Sequence, residues 1–366
     1  MQVHIFNPEH DLALAFGGER FTPPHAAREL RTNLGFLPAL WAENGDVVLV
    51  DDVDFAIKAA QKFRHTIADV SFLSFSDLQS SQLLEKLSDF RVLPWGWDAA
   101  LRNRLKNAGV PKSVLPSIDW IQKIRNTSSR ATSVEMLRFL RSYLSGKNLV
   151  GESFLCTTMD EVLRWVRSYQ RAVVKAPWSS SGRGVRYVEN EAITVSMKGW
   201  MQNILQQQQA LVVEPYYIKE RDFALEFEVM TDGSVSYCGL SLFDTVNGGY
   251  MGNLLMPENE KRKIMSDYMD NKSFDELIEG ISMFLKGLSL DYVGPFGVDM
   301  MVVKNQENDT FAIHPCIELN LRRTMGHVAL ALTSKHDEPP QIMRIIHDVN
   351  YRLVVSPLEN PFVKVI

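Results

Sequence analysis

A lysine followed by a run of small residues is the first group with chemical potential. Val173 and Val174 lead into Lys175, and after Trp178 come Ser179, Ser180, Ser181, Gly182, Arg183 and Gly184. Glycines let the backbone approach phosphate oxygens, and consecutive N–H groups form an anion nest. Serine hydroxyls add donors. The lysine precedes the glycines, so the segment is not a Walker loop. An exposed lysine beside a surface hairpin is the alternative reading of this segment alone.

Carboxylates at strand positions form a second group. Asp299 ends Gly-Val-Asp (297–299), and Glu318 and Asn320 lie in Ile-Glu-Leu-Asn (317–320). Strand side chains alternate, so Glu318 and Asn320 share a face. An acid inside an apolar strand is costly unless paired or metal-bound. Hard oxygen donors suit Mg²⁺, which keeps waters and takes phosphate oxygens. An ion-paired sheet edge is the alternative. Arg322 and Arg323 follow at once, and guanidinium fits phosphate or carboxylate; which one faces inward is open. Cys316 shares the parity of Glu318, but no Cys–His pair is near it in sequence. His327, at an expected helix start, reads as a capping or packing residue.

The third group is Leu211, Val212 and Val213 running into Glu214, Pro215, Tyr216 and Tyr217, with Asp222 beyond. It reads as an apolar strand that ends in a polar hinge. An exposed acidic end to a core strand is the alternative.

In this order, tens of residues apart, the three segments resemble the ATP-grasp superfamily, the fold of D-alanine–D-alanine ligase, glutathione synthetase and biotin carboxylase. The resemblance covers residues from about 117 to 335. It implies that Lys175 contacts the α and β phosphates of ATP. The loop bearing Ser180, Ser181 and Gly182 would close over the β and γ phosphates, with Arg183 beside them. Glu214 would begin the interdomain hinge, and backbone groups of Pro215, Tyr216 and Tyr217 would meet the adenine edge. Pro215 lacks an N–H, so its neighbours must donate. Asp222 would accept from the ribose hydroxyls. Asp299, Glu318 and Asn320 would hold Mg²⁺, two ions shared with ATP, with Mn²⁺ as an alternative. Arg322 or Arg323 would stand near the transferred phosphoryl group.

Two departures qualify the resemblance. The family's first nucleotide lysine is missing from Ile124–Arg130, where Arg130 is the first substitute and Arg125 the second. Gly297 stands where several ligases carry an arginine, so substrate details do not transfer. The implied activity is that of an ATP-dependent ligase. It joins a small-molecule carboxylate to an amine or other nucleophile through an acylphosphate and releases ADP. A nucleotide-binding regulatory protein without turnover, or a phosphotransferase with a non-carboxylate acceptor, are the alternatives.

These residues require sheets to hold them. Residues 2–6 and 46–50 read as buried strands, 24–43 as helical, 70–75 and 90–94 as further strands, and 98–108 as a helix ended by Gly109. Strands alternating with helices predict a parallel α/β unit. Residues 1–116 would form the Rossmann-like pre-ATP-grasp domain. Helices over 131–144, 160–170 (Asp160 as cap) and 196–207, with strands at 153–156 and 171–175, would make a small lobe over 117–212. Strands at 222–230, 234–242, 297–303 and 311–320, a helix over 273–287 and a last helix near Gly326 would make a large lobe over 213–366. The cluster Asn7-Pro8-Glu9-His10-Asp11 follows the first strand, at the ligand end of such a sheet. With Arg28, Arg31 and residues 94–98 it is a candidate substrate pocket, a polar turn being the alternative.

Length and charge bound the rest. At 366 residues, two or three structural units are expected. A net charge of -5 provides no global basic field, which argues against nucleic acid. Cys156, Cys238 and Cys316 lie too far apart for zinc spacing or a disulfide framework. Glu9, His10 and Asp11 interrupt what would be a leader's apolar stretch, and no apolar run is long enough to span a bilayer. A cytoplasmic enzyme without membrane contact is expected, and a homodimer is compatible with the sequence.

Overall fold

The structure is a computed structural model that describes residues 1–80, 91–179, 184–189, 193–246, 249–305, 307–333 and 339–358. The first unit contains β1 (Gln2–Ile5), α1 (His10–Phe16), α2 (His25–Asn33), β2 (Val47–Val50), α3 (Val53–Ala60), β3 (Ser71–Ser74), α4 (Phe75–Ser80), β4 (Arg91–Pro94) and α5 (Ala99–Asn107). Its strands run parallel in the order β3-β2-β1-β4. All four residues of β2 are buried, as a parallel strand covered on both faces requires. Asp52 and Asp98 accept from the Phe55 and Leu101 N–H groups and so start α3 and α5. The helical reading of 24–43 needs correction. α2 ends at Asn33, and after Gly35 only a single 3-10 turn forms, Leu37–Leu40, because Pro38 lacks the donor a longer helix needs.

α6 (Ile118–Thr127) and α7 (Arg130–Tyr143) follow, capped by Ser117 and Ser129. Next come β5 (Phe154–Cys156), α8 (Met159–Ser168), β6 (Arg171–Lys175), β7 (Val185–Glu189), α9 (Val195–Gln208) and β8 (Leu211–Pro215). These strands form an antiparallel sheet ordered β5-β8-β6-β7. The cap of α8 is Thr158, not Asp160: the threonine oxygen accepts from Glu161 N–H, and the Glu161 carboxylate accepts from Thr158 N–H. That reciprocal box satisfies two free donors, which Asp160 could not do from inside the first turn.

The remaining chain supplies β9 (Lys219–Val229), β10 (Val235–Val246), β11 (Gly249–Leu255), α10 (Glu258–Met265), α11 (Asn271–Gly287), β12 (Gly294–Lys304), β13 (Phe311–Asn320), α12 (Met325–Leu332), β14 (Gln341–His347) and β15 (Tyr351–Pro357). Among the described residues they make one sheet of order β13-β12-β9-β10-β11-β14-β15. The two strands after α12 were not expected from the sequence. From Asp222 onward, alternation divides β9. Phe223, Leu225 and Phe227 face a core with Phe296, Val298 and Met300, onto which Met136 and Leu140 of α7 and Leu277 and Ile281 of α11 pack. Even-numbered Asp222 and Glu226 face the other way, Asp222 toward the space between sheets and Glu226 against His327 at the start of α12.

The parallel unit does not stand apart. Phe6, Leu34, Leu37 and Val48 share a core with Leu255, Val328, Met343 and Leu353. Residues of β5 to β8 with α8 and α9 keep a separate core around Val162, Val174 and Leu211. No helix among the described residues is long and apolar enough to cross a membrane.

Candidate functional site

β6 and β8 are antiparallel neighbours, with Val173 opposite Glu214 and Lys175 opposite Val212. Lys175 and Glu214 are both buried, so each needs the other: Nζ and Oε2 are 2.6 Å apart, and Ser153 Oγ donates to Glu214 Oε1 at 3.0 Å. On the facing sheet, Asp222 accepts from Lys219 Nζ and Thr245 Oγ1, each at 2.6 Å. Burial raises its pKa, and those two donors oppose the rise. Lys219 and Asp222 would lie on opposite faces of a regular strand. The register slips between Val302 and Val303, whose partners are Arg221 and Lys219, and this bulge turns Lys219 onto the Asp222 side.

Asp299 stands directly opposite Glu318 across β12 and β13. Like charges in that relation repel. Burial first, then Glu318 and Glu226, push the Asp299 carboxyl up to about 8. Asn320 Nδ2 donates to Asp299 Oδ2 at 3.0 Å. Arg130 Nη2 pairs with Glu318 at 2.8 Å, while its Nη1 donates to the Ala176 carbonyl at 2.6 Å and to Ser179 Oγ at 2.7 Å. Among the described residues, no three or more His, Cys, Asp or Glu side chains converge as a metal cluster. The set here is two carboxylates and an amide that turns its nitrogen to Asp299 and its oxygen to Arg322.

One cavity of about 470 Å³ between the two sheets is walled by Arg130, Lys175, Glu214, Tyr216, Tyr217, Asp222, Asp299 and Glu318. Asn320 reaches it through Asp299. Arg322 lies in an adjoining cleft with Glu318 and Asn320, donating to Asn320 Oδ1 at 2.9 Å. It also grips Asp11 with two bonds of 2.8 Å. Burial would raise the Asp11 carboxyl, but the Arg322 charge and hydrogen bonds outweigh it and hold the pKa below the ordinary value.

Other expected residues are elsewhere. Arg323 turns away and stacks over the Trp41 ring at 4.4 Å. Arg125 donates to the Leu14 carbonyl and lies 4.0 Å from the Trp178 ring, outside the cavity wall. Ser180, Ser181, Gly182 and Arg183 lie outside the described residues. Cys316 does not face the site. Between Met301–His314 and Asp299–Glu318 the β13 strand carries extra residues, the parity breaks, and Cys316 is buried in the large core. His327 does cap and pack: Nδ1 accepts from Thr324 N–H at 3.2 Å, and Nε2 lies 3.2 Å from the Phe227 carbonyl.

The Asn7–Asp11 cluster divides across α1. Asp11 joins Arg322, whereas Asn7 donates to the Gly96 carbonyl and Asp98, and Glu9 pairs with Arg31. Arg171, Lys219 and Thr245 also line the cavity and were not singled out from the sequence. Arg171 shares parity with Val173 and Lys175 on β6, a signal that was available. Its guanidinium lies 3.9 Å over the Tyr216 ring, and its carbonyl accepts the Tyr216 N–H at 3.0 Å.

No family model matches the sequence, and no curated protein matches it. Solved structures do. A biotin carboxylase–beta-gamma-ATP complex from Campylobacter jejuni aligns over 94% of this chain and 75% of its own, at 14% identity and a TM-score of 0.51. N5-carboxyaminoimidazole synthetase from Staphylococcus aureus, complexed with ADP, aligns over 94% and 82% at 14% identity, TM-score 0.47. An Archaeoglobus fulgidus protein whose name places it in the ATP-grasp superfamily aligns over 98% and 100% at 15% identity, TM-score 0.47. The chain has the ATP-grasp fold.

Proposed function

We propose that this chain, built on the ATP-grasp fold, is an ATP-dependent ligase that joins a carboxylate to an amine or other nucleophile through an acylphosphate. The observation that carries the reading is the in-register pair Asp299 and Glu318, with Asn320 attached, in one cavity with Lys175 and the Glu214–Tyr217 hinge. Two facing carboxylates, one with a pKa lifted to about 8, are a donor set in want of a cation. Mg²⁺ or Mn²⁺ suits such oxygens and, when bound, would neutralise phosphoryl charge.

The cavity of about 470 Å³ is of a size that holds a nucleotide. Pro215 has no N–H, and that of Tyr216 goes to Arg171, so Tyr217 N–H is the hinge donor toward the purine. Asp222 would take the ribose hydroxyls. Lys175 and Arg130 would meet the phosphates, exchanging part of their present pairing with Glu214 and Glu318. Arg322 would hold the substrate carboxylate or the phosphoryl oxygens as charge develops. The divisions at 116/117 and 212/213 belong to the same reading.

One observation favours a second reading, nucleotide binding without turnover. Arg130 stands in place of the usual lysine and already occupies Glu318. The test is a search for ADP release that needs both a carboxylate and an amine, with carboxylate ¹⁸O followed into phosphate. Label in the phosphate supports the ligase. ATP binding with no carboxylate-dependent ADP across a broad panel supports the second reading and sinks the first.

A further inference from the structure

From β1 the chain moves outward to β2 and β3, then returns to place β4 on the other side of β1. Strand order therefore reverses between β1 and β4. In open parallel sheets, ligands settle beyond the carboxyl ends of the strands at such a point. A cavity of about 320 Å³ lies there, walled by Asn7 and Glu9 after β1, Arg31 of α2, and Asp98 and Leu101 at the start of α5. It shares no wall residue with the nucleotide cavity or with the Arg322 cleft. α1 separates them, turning His10, Asp11 and Leu14 toward Arg322 and Ala13 toward the second cavity.

Glu9 is only 7% exposed. Its Oε1 pairs with Arg31, but Oε2 has no hydrogen-bond partner among the described residues. An uncompensated buried carboxylate oxygen is costly, and burial raises the pKa of this carboxyl. The neighbouring arginines are already engaged. Arg31 Nε donates to Asp51 at 2.7 Å, and Arg104 Nη2 to the same carboxylate at 2.6 Å. Glu9 and Asp51 thus balance the two arginines; on the same wall Asp98 is held by Leu101 N–H, Asn7 Nδ2 and, at 3.3 Å, His10 Nδ1, and Glu19 adds an acid at the rim.

We propose that this cavity binds a small organic cation, an ammonium or guanidinium group that donates to Glu9 Oε2, with a short apolar stem along Ala13, Phe21 and Leu101. The site is independent of the nucleotide reading and is measured without ATP.

Agmatine is the probe, titrated into the full chain by calorimetry, with butylamine, glutarate and inorganic phosphate for comparison. Saturable agmatine binding is expected, unaltered by ATP with Mg²⁺ and weakened about 10-fold or more by Glu9→Gln. Because Glu9→Gln can disturb the Arg31 network, Ala100→Phe, which fills the cavity from α5, should abolish agmatine binding with the thermal midpoint unchanged. Absence of saturable binding by agmatine and butylamine overturns the proposal. So does binding unchanged in both variants, tighter binding of glutarate or phosphate, or displacement of agmatine by ATP.

Discussion

Glu318 sits between two demands, an ion pair with Arg130 and repulsion from Asp299. Glu318→Gln keeps an acceptor for Arg130 but removes a charge that a cation would need. It should abolish ADP release, while circular dichroism and thermal midpoint stay close to the parent. An active variant with the same Mg²⁺ dependence would take Glu318 out of any metal site. The two arginines that follow are expected to differ. Arg322→Ala should lower turnover by about 10²–10³-fold, the usual loss for a donor aimed at developing charge. Arg323→Ala, which removes a guanidinium stacked on Trp41, should act on stability and leave turnover within a few-fold. Equal effects on turnover would contradict the assignment. Residue types made Lys175, Glu214, Asp222, Asp299 and Glu318 legible in the sequence, because a charge at a strand position needs a reason. The choice between Arg322 and Arg323 was not legible, since it depends on where the chain turns after β13.

Elements explain what the sequence could not show. Lys219 reaches Asp222, and Cys316 leaves the site, through irregularities in β9 and β13 that shift side-chain parity. Such slips depend on the partner strand: the single extra residue in β9 flips the face of Lys219, whereas the two extra residues in β13 displace Cys316 and restore the face at Glu318. The strands β14 and β15 were not legible because neither alternates strictly between apolar and polar residues, and β14 is placed by pairing with the distant β11. β13 also supplies a stability test. His314 is fully buried, neither ring nitrogen has a partner among the described residues, and burial lowers its pKa to about 4. The folded form therefore holds a neutral imidazole, while the unfolded chain takes up a proton below its ordinary value of 6.5. This contribution to stability is complete above that value and is lost as pH falls toward about 4, a change on the order of 3 kcal/mol. His314→Leu should flatten the pH dependence of the urea midpoint across that window. A slope unchanged by the substitution would show that His314 is solvated.

At the scale of the molecule, the parallel unit and the large sheet share a core, whereas β5 to β8 keep their own. The latter group should therefore open with the lower free energy in native-state hydrogen exchange. Uniform exchange across both groups would contradict that division. Asp11 and Arg322 tie the parallel unit to the cavity. The Asp11 pKa is depressed, so its contribution is present above the ordinary aspartate value and lost as pH falls through the folded one. The overall fold was legible from the alternation of elements and the order of three motifs, and the meeting of the units was not, because contacts between distant segments leave no local period. The central claim is that the cavity between the two sheets takes ATP together with a divalent cation. Calorimetry of ATP with the full chain, with and without Mg²⁺, tests it most directly. Saturable binding tighter than about 1 mM that needs Mg²⁺ and is lost in Lys175→Ala is the expected result. No saturable binding below about 1 mM ATP in a folded sample, or binding indifferent to both Mg²⁺ and Lys175, would contradict it.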